Sequence, residues 1–458
     1  MYLTEDQKRI GRRNFMKAAA VLPVAGAFAY TAGRNIGAVK TGIVGTGMEG
    51  RILIEVANPQ YLYLNAMCDI RPDNQILGEK KIIDSGHSPK PQVYTNYEDM
   101  LSDADIEAVL IATPLKMHGP MAIQALEAGK HVFTEKTMAF SVQECEEMIN
   151  LANKKGLNLQ VGHQRFYNPL YWDAYRMYTE GLLGNVYHVR ALWHRNTDWN
   201  YWIHVTDEEL KNQLLTFDPS KYGYQDIQHL VNWRWYEETS HGLWTELCSH
   251  QMAITNWLFN DSAPIAVRAH GGVFKGPEDY ITKVGYEQND RTISDHIYAI
   301  YEYEDGRIVT YSSQQSNTFD QYYEQIMGTF GTIILAGENQ YYLFWEPGWD
   351  EEKAKDAVER HRNPTQVEVV KEDKASESAF AAHVSAEAQA AGGPGTTMSP
   401  LDPYKWELEG FAHTIRIGAP NLCNGVRAAK AAQACFAGQQ ALLTKERVVI
   451  EPLKVNIV

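Results

Sequence analysis

The segment that most restricts this chain is Gly45-Thr46-Gly47-Met48-Glu49-Gly50, which follows the short apolar run Val39–Val44 and precedes a helical pattern over 51–57. Between a strand and a helix, the first glycine makes the turn, the second lets backbone amides approach a phosphate, and the third allows close helix-strand packing. An anion then sits at a helix N-terminus, where free N–H groups and the dipole favour it. Glycines alone specify only a tight turn. About 20 residues past the fingerprint, however, a second apolar run over 63–68 ends on Asp69, and a carboxylate there accepts hydrogen bonds from both hydroxyls of a ribose. Gly45, Gly47, Met48, Gly50 and Asp69 thus predict a dinucleotide site. Because Asp69 repels a 2′-phosphate, NAD is expected over NADP, although Arg71 two residues later offers a phosphate a partner.

The βα alternation continues through a helical 97–102, a strand at 108–112, a helix over 117–128, a strand at 131–134, a helix over 141–155 and a strand at 157–161. Units of this length predict a parallel, doubly wound sheet. Past residue 165 the period changes to long alternating strands at 186–193, 266–273, 296–303 and 308–313, with Asp305-Gly306 as a hairpin signal. The predicted fold class is an α/β Rossmann domain over 38–163 followed by an α+β domain, with a large antiparallel sheet, over 164–458. A chain of 458 residues can bury two such cores. Residues 350–400 are charged, then rich in Ala, Gly, Ser and Pro, which predicts an insertion or flexible loop. A helical pattern returns over 404–443.

Ahead of the first strand, Gly11-Arg12-Arg13-Asn14-Phe15-Met16-Lys17 leads into an uncharged, Ala-rich run over 18–32. Basic residues, an apolar segment and then small residues are the layout of a bacterial export signal. The paired arginines resemble a twin-arginine signal, with Gly11 where Ser or Thr is usual. Residues 1–34 are therefore expected to engage the twin-arginine export machinery and direct the protein to the periplasm. The run is shorter than the roughly 20 apolar residues of a membrane span. Five cysteines without C-x-x-C spacing give no disulfide framework or thiolate metal site, and they suit folding in a reducing cytoplasm before export. A formal net charge of −15, with no basic stripe, argues against nucleic acid as a partner.

Three further segments carry a family resemblance: Ala112-Thr113-Pro114 with His118, then Ala128-Gly129-Lys130-His131-Val132-Phe133-Thr134-Glu135-Lys136, then Gln160-Val161-Gly162-His163-Gln164-Arg165. With the glycine fingerprint they resemble the glucose-fructose oxidoreductase, inositol dehydrogenase and rhizopine-catabolism (Gfo/Idh/MocA) family, from about Val39 to the end apart from 350–400. The resemblance implies cofactor contacts at Thr113, Pro114, His118, Glu135 and Lys136, and a homo-oligomer formed through the open face of the C-terminal sheet. It also implies that Lys136 reaches between nicotinamide and substrate. An ammonium there stabilises developing alkoxide. The family's E-K-P motif reads Glu135-Lys136-Thr137 here, which removes the rigid, often cis, proline turn.

The family's Asp followed four residues later by His is matched by Glu246 and His250. On a helix that spacing puts both side chains on one face, so the carboxylate can orient the imidazole. His250, with an unperturbed pKa near working pH, would then take the hydroxyl proton. The family's later aspartate is Ala253 here. Ser240-His241-Gly242-Leu243 resembles the T-H-G-L segment of related NAD-dependent glycosidases, which implies a second acid or base at His241. The spacing of His241, Glu246 and His250 matches no metal motif, so no metal is expected.

Seven of the chain's eleven tryptophans (Trp193, Trp199, Trp202, Trp233, Trp235, Trp244 and Trp257) fall in one stretch, interleaved with polar residues. They predict an aromatic-walled cleft for a carbohydrate. Trp193 and Trp244 are the candidate stacking residues, and Arg165 and Tyr167 align with family positions near the substrate. The expected activity is NAD-dependent oxidation of a ring hydroxyl, at C3, of a sugar or glycoside. Free NAD is scarce outside the cytoplasm, so the cofactor would travel tightly bound and be recycled by a second substrate. The alternatives are an NAD-dependent glycoside hydrolase working through a 3-keto intermediate and elimination, and a nucleotide-binding protein without catalysis.

Overall fold

The computed structural model describes residues 3–20, 36–102, 105–197, 199, 208–274, 290–362, 399 and 402–456. It opens with a helix, α1 (Glu5–Ala20). A parallel sheet follows, built from β1 (Val39–Val44), β2 (Leu62–Cys68), β3 (Gln92–Tyr94), β4 (Ala108–Ile111), β5 (His131–Glu135) and β6 (Leu159–Gly162) in the order β3-β2-β1-β4-β5-β6. Between the strands run α2 (Met48–Val56), α3 (Pro72–Asp84), α4 (Tyr97–Leu101), α5 (His118–Glu127) and α6 (Val142–Lys155). This is the doubly wound order whose ligand crevice lies beyond the carboxyl ends of the strands. Central β1 is buried at all but Lys40, as a parallel strand covered on both faces must be. A capping box between Ser141 and Glu144 starts α6, and left-handed Gly156 ends it.

The second domain contains α7 (Pro169–Thr179), β7 (Val186–His194), α8 (Glu208–Leu215), α9 (Ile227–Val231), α10 (Ser249–Leu258), β8 (Ala266–Gly272), β9 (His296–Glu302), β10 (Ile308–Gln314), β11 (Tyr322–Gly328), β12 (Gly331–Ala336), β13 (Gln340–Trp345) and α11 (Glu351–Arg362). After them come α12 (Asp402–Ile417), α13 (Gly425–Thr444) and β14 (Val448–Val449). The eight strands order as β13-β12-β11-β7-β10-β9-β8-β14. The sheet is antiparallel except where β7 and β10 pair in parallel, which corrects a uniformly antiparallel reading. The chain leaves β7, passes through α8 to α10 and the antiparallel strands β8 and β9, and re-enters beside β7 in the same direction.

Packing also crosses the boundary at residue 163. Helix α12 lies against α2, β1, β2 and β6, and its Leu408, Phe411 and Ala412 share a core with Val39, Ile43 and Leu53. Arg416 ties its end down by bonding both Glu107 carboxylate oxygens, at 2.8 and 2.6 Å. A helix late in sequence therefore completes the Rossmann domain. Helix α13 packs on α10, β8 and α6 through alanines 428, 429, 431, 432 and 434, all buried, whose small side chains permit close approach. Even a Cβ at Gly438 would fall 2.5 Å from the Trp244 ring.

Two stretches, the 350–400 insertion and the segment around the arginine pair, are described only in part. Helix α11 occupies the start of 350–400, and residues 363–398 lie outside the described residues. The arginine pair sits on α1, which packs along edge strand β13. There Phe15 is buried with its ring 4.6 Å from that of Tyr341, and Asn14 Nδ2 donates to the Leu343 carbonyl at 3.2 Å. The apolar run over 21–32 lies outside the described residues. Among the described residues no helix is long and apolar enough to cross a membrane.

Candidate active site

The carboxyl ends of β1, β2, β4 and β5 open into a cavity of about 1000 Å³, whose opposite wall is supplied by the second domain. Gly45 adopts a φ of +85°, and a Cβ there would fall 2.5 Å from the Ala112 carbonyl oxygen. A Cβ on Gly50 would come within 2.0 Å of Gly45 O, whereas one on Gly47 would meet nothing nearer than Asn74 Nδ2 at 4.0 Å. The first and third glycines are thus required by backbone packing and the second by access. Helix α2 starts at Gly47 with no side-chain cap, which leaves its first N–H groups for an anion.

Asp69 lines the same cavity. Its Oδ2 accepts from the Thr46 amide at 2.7 Å, and its Oδ1 accepts from the Arg71 amide at 2.8 Å. The Arg71 guanidinium grips Asp73 with two bonds, at 3.1 and 2.5 Å, so its charge is already matched where a 2′-phosphate would need it. Turn, helix end and carboxylate fit a dinucleotide without that phosphate.

At the inner end, Thr113, Pro114, His118, Glu135 and Lys136 converge on the cavity. His118 is buried and braces this corner, with Nδ1 2.8 Å from the Thr137 carbonyl and Nε2 2.8 Å from that of Thr113. The Lys136-Thr137 bond is cis without proline, and Thr137 Oγ1 donates to the Thr245 carbonyl at 2.8 Å. Lys136 Nζ donates to the Glu246 carbonyl at 3.1 Å and lies 3.9 Å from Glu246 Oε2. Burial, and then the neighbouring Glu49, push the Glu135 carboxyl up to about 8.

His250 also lines the cavity, flanked by Trp193 at 5.4 Å and by His163 at 5.8 Å between ring centroids. Its Nδ1 has no hydrogen-bond partner among the described residues. Burial, together with Lys136, Arg165 and His163, holds the imidazole well below its ordinary pKa. It is therefore neutral, able to accept a proton, and a weaker base than its unperturbed pKa suggested. Trp193 stacks on Tyr322 at 4.5 Å, with the Arg195 guanidinium 4.6 Å from its ring. Trp199, Trp233, Arg234, Glu338 and Tyr404 extend this wall.

Five sequence assignments change. Glu246 does not orient His250: residues 244–248 form a π-helical turn, which breaks the i,i+4 register, and its Oε2 accepts from Arg234 Nε at 2.7 Å. Burial opposes ionisation of Glu246, but Arg234 and Lys136 outweigh it and hold the carboxyl below its ordinary range. His241 is not among the residues lining the cavity; it stacks on Phe140 at 4.3 Å and bonds the Phe140 carbonyl at 3.0 Å. Trp244 is core, pressed against Gly438. Arg165 lies behind the wall, its charge matched by Glu324 at 2.5 Å and Glu338 at 2.8 Å. Tyr167 is wholly buried against Gly410. Sequence reasoning missed Arg234, Glu338 and Tyr404, which tertiary packing alone delivers. Among the described residues no group of three His, Cys, Asp or Glu could hold a metal ion.

Residues 39–163 match the profile of an oxidoreductase family with an NAD-binding Rossmann fold, and residues 208–448 match that of its C-terminal α/β domain. A glycosyl hydrolase family 109 protein of Shewanella baltica (strain OS195) is 30% identical over 219 residues, covering 42% of this chain and 47% of the relative. The α-N-acetylgalactosaminidase of Shewanella oneidensis is 31% identical over 172 residues, 35% of this chain and 36% of the relative. The chain thus spans less than half the length of these curated relatives. Among solved structures, the WlbA dehydrogenase from Bordetella pertussis, in complex with NADH and UDP-GlcNAcA, superposes with a TM-score of 0.64 at 16% identity over 91% of this chain and 99% of that one. At that identity the likeness is one of fold.

Proposed function

This chain belongs to the Gfo/Idh/MocA oxidoreductase family, and on that premise we propose that it oxidises a ring hydroxyl, at C3, of a sugar or glycoside with a tightly held NAD. The observation that carries the reading is the convergence of Lys136 and His250 on one cavity that also holds the Gly45–Gly47 turn and Asp69. The Gly45–Gly47 turn and Asp69 would hold NAD, which when bound would supply the hydride acceptor. The protein's own residues do the rest. Lys136, fixed by the Glu246 carbonyl, places an ammonium where the hydroxyl oxygen becomes electron-rich. Neutral His250 stands on the same wall to receive the proton. Trp193 and Trp199 present flat apolar surface to the C–H face of a sugar, while Arg195, Arg234 and Glu338 supply polar edges.

The export reading gives this chemistry a setting. A cofactor carried out by the twin-arginine route into the periplasm has to be reoxidised in place by a second, carbonyl-bearing substrate. Changing both Arg12 and Arg13 to lysine should leave the loaded protein in the cytoplasm; undiminished export in cell fractionation rejects that route. Pairing of copies is supported by the outer sheet face, which exposes Tyr187, Tyr298, Ile300 and Ile308.

A second reading, glycoside cleavage through a 3-keto intermediate and elimination, is favoured by the names of the curated relatives. One chromogenic glycoside separates the two. With a keto-sugar as hydride acceptor, a dehydrogenase yields the intact keto-glycoside and no chromophore. Aglycone release that depends on bound NAD reverses the assignment.

A further inference from the structure

A Rossmann domain alone leaves the adenosine end of a dinucleotide at the open mouth of its crevice. Here that mouth is covered from the other domain. Helix α8 packs against α3, the helix that follows Asp69. Tyr224, only 7% exposed, lines the cavity together with Asp69, and so do Leu230 and Val231 of α9, at 5 and 6%.

The stretch is pinned at its base within the second domain. Asp226 caps α9 by accepting from the His229 amide at 2.9 Å. Tyr236 Oη donates to Asp290 at 2.9 Å and is bridged to it by Gln228 Nε2 at 3.0 and 3.1 Å. Thr239 Oγ1 donates to the Trp233 carbonyl at 2.6 Å. At the inner end, Arg234 stacks on Trp233 at 4.2 Å and bonds Glu246, whose carbonyl receives Lys136. One segment therefore runs from the ribose carboxylate to the lysine.

We propose that residues 208–236 are a clasp that keeps NAD bound between turnovers, with Tyr224 closing the adenosine end. The inference rests on the NAD reading above. For the dinucleotide to leave, α8 has to part from α3 and Tyr224, Leu230 and Val231 have to be exposed to water. Recycling of hydride on one cofactor molecule follows from that barrier.

The test uses the full chain and no turnover. Protein loaded with NADH is freed of excess by gel filtration and then mixed with a large excess of NAD, and loss of bound-NADH fluorescence gives the release rate. The unmodified protein should carry NADH through the column. Tyr224→Ala should release it at least tenfold faster, and Tyr224→Phe, which keeps the ring, within about threefold of the unmodified rate. Leu214→Ser, at the buried position of α8, should accelerate release from outside the cavity and covers the case in which Tyr224→Ala does not fold. Loss of NADH on the column by the unmodified protein overturns the clasp, as does unchanged release in both Tyr224→Ala and Leu214→Ser. If titration shows that the unmodified protein binds no NADH at all, the NAD reading falls with it.

Discussion

The two walls of the cavity are made in different ways. On the Rossmann wall, Gly45, Asp69, Thr113 and Lys136 each stand within two residues of the carboxyl end of a strand, so sheet order alone lines them up. On the opposite wall, Trp193 closes β7, Tyr322 opens β11, Glu338 turns between β12 and β13, His250 lies at the start of α10 and Tyr404 comes from a helix that belongs by packing to the other domain. The first wall is set by local backbone geometry and the second by tertiary packing. A binding function common to many chains can reside in the first, while what is specific to this one resides in the second.

The largest effect is expected where the walls meet. Lys136→Met should lower single-turnover hydride transfer by about 10²–10³-fold, by analogy with the loss of one oxyanion donor, and change NAD affinity only a few-fold. Stopped-flow absorbance of NADH with a sugar substrate, beside equilibrium NAD binding, measures both. Near-normal transfer removes Lys136 from the chemistry.

Next in size is a change confined to the Rossmann wall. Asp69→Ala should weaken NAD binding by roughly tenfold, the scale of one charge-assisted hydrogen-bond pair, and abolish discrimination against NADP. Tighter NADP than NAD binding in the unmodified protein contradicts the pairing of Arg71 with Asp73. Behind the second wall, His241→Ala should leave hydride transfer within about twofold, because that ring packs on Phe140 and does not line the cavity. A hundredfold loss there returns His241 to the mechanism.

This contrast also explains what was legible in the sequence. The glycine turn and Asp69 are legible from their position relative to a strand, whereas Lys136 is reached only through the family resemblance. The strands at 186–193, 296–303 and 308–313 are legible by alternation, but the parallel pairing of β7 with β10 is not, since register and direction depend on the route between them. Glu246 and His250 were paired on the assumption of α-helical spacing, and a π-helical turn defeats that count. His241 and Trp244 carried suggestive local patterns, yet α13 and Phe140 claim both for packing. Arg165 was placed near the substrate by alignment, but its burial between two carboxylates gives it the task of holding Glu338 in the wall.

The smallest effect distinguishes the walls by pH. Glu135, on the Rossmann wall, has its carboxyl pushed up to about 8 by burial and Glu49. The folded protein thus keeps a proton that the unfolded chain has lost above the ordinary glutamate pKa, and the contribution is fully present below about 4.5 and disappears as pH rises toward 8. Glu246, on the second wall, is held below its ordinary range by Arg234 and Lys136 against the effect of burial. Its contribution is present above the ordinary pKa and lost only as pH falls through the lowered one. In cofactor-free protein, calorimetric Tm between pH 5 and 8 should fall less steeply for Glu135→Gln than for the unmodified chain, by at least ~2 °C over the range. Glu246→Gln should lower Tm across the whole range and leave the slope as it was, because its titration lies below the window. Equal slopes for Glu135→Gln and the unmodified protein mean that the Glu135 carboxyl is ionised throughout. Lys136 would then face a charged neighbour on the Rossmann wall as well as on the other.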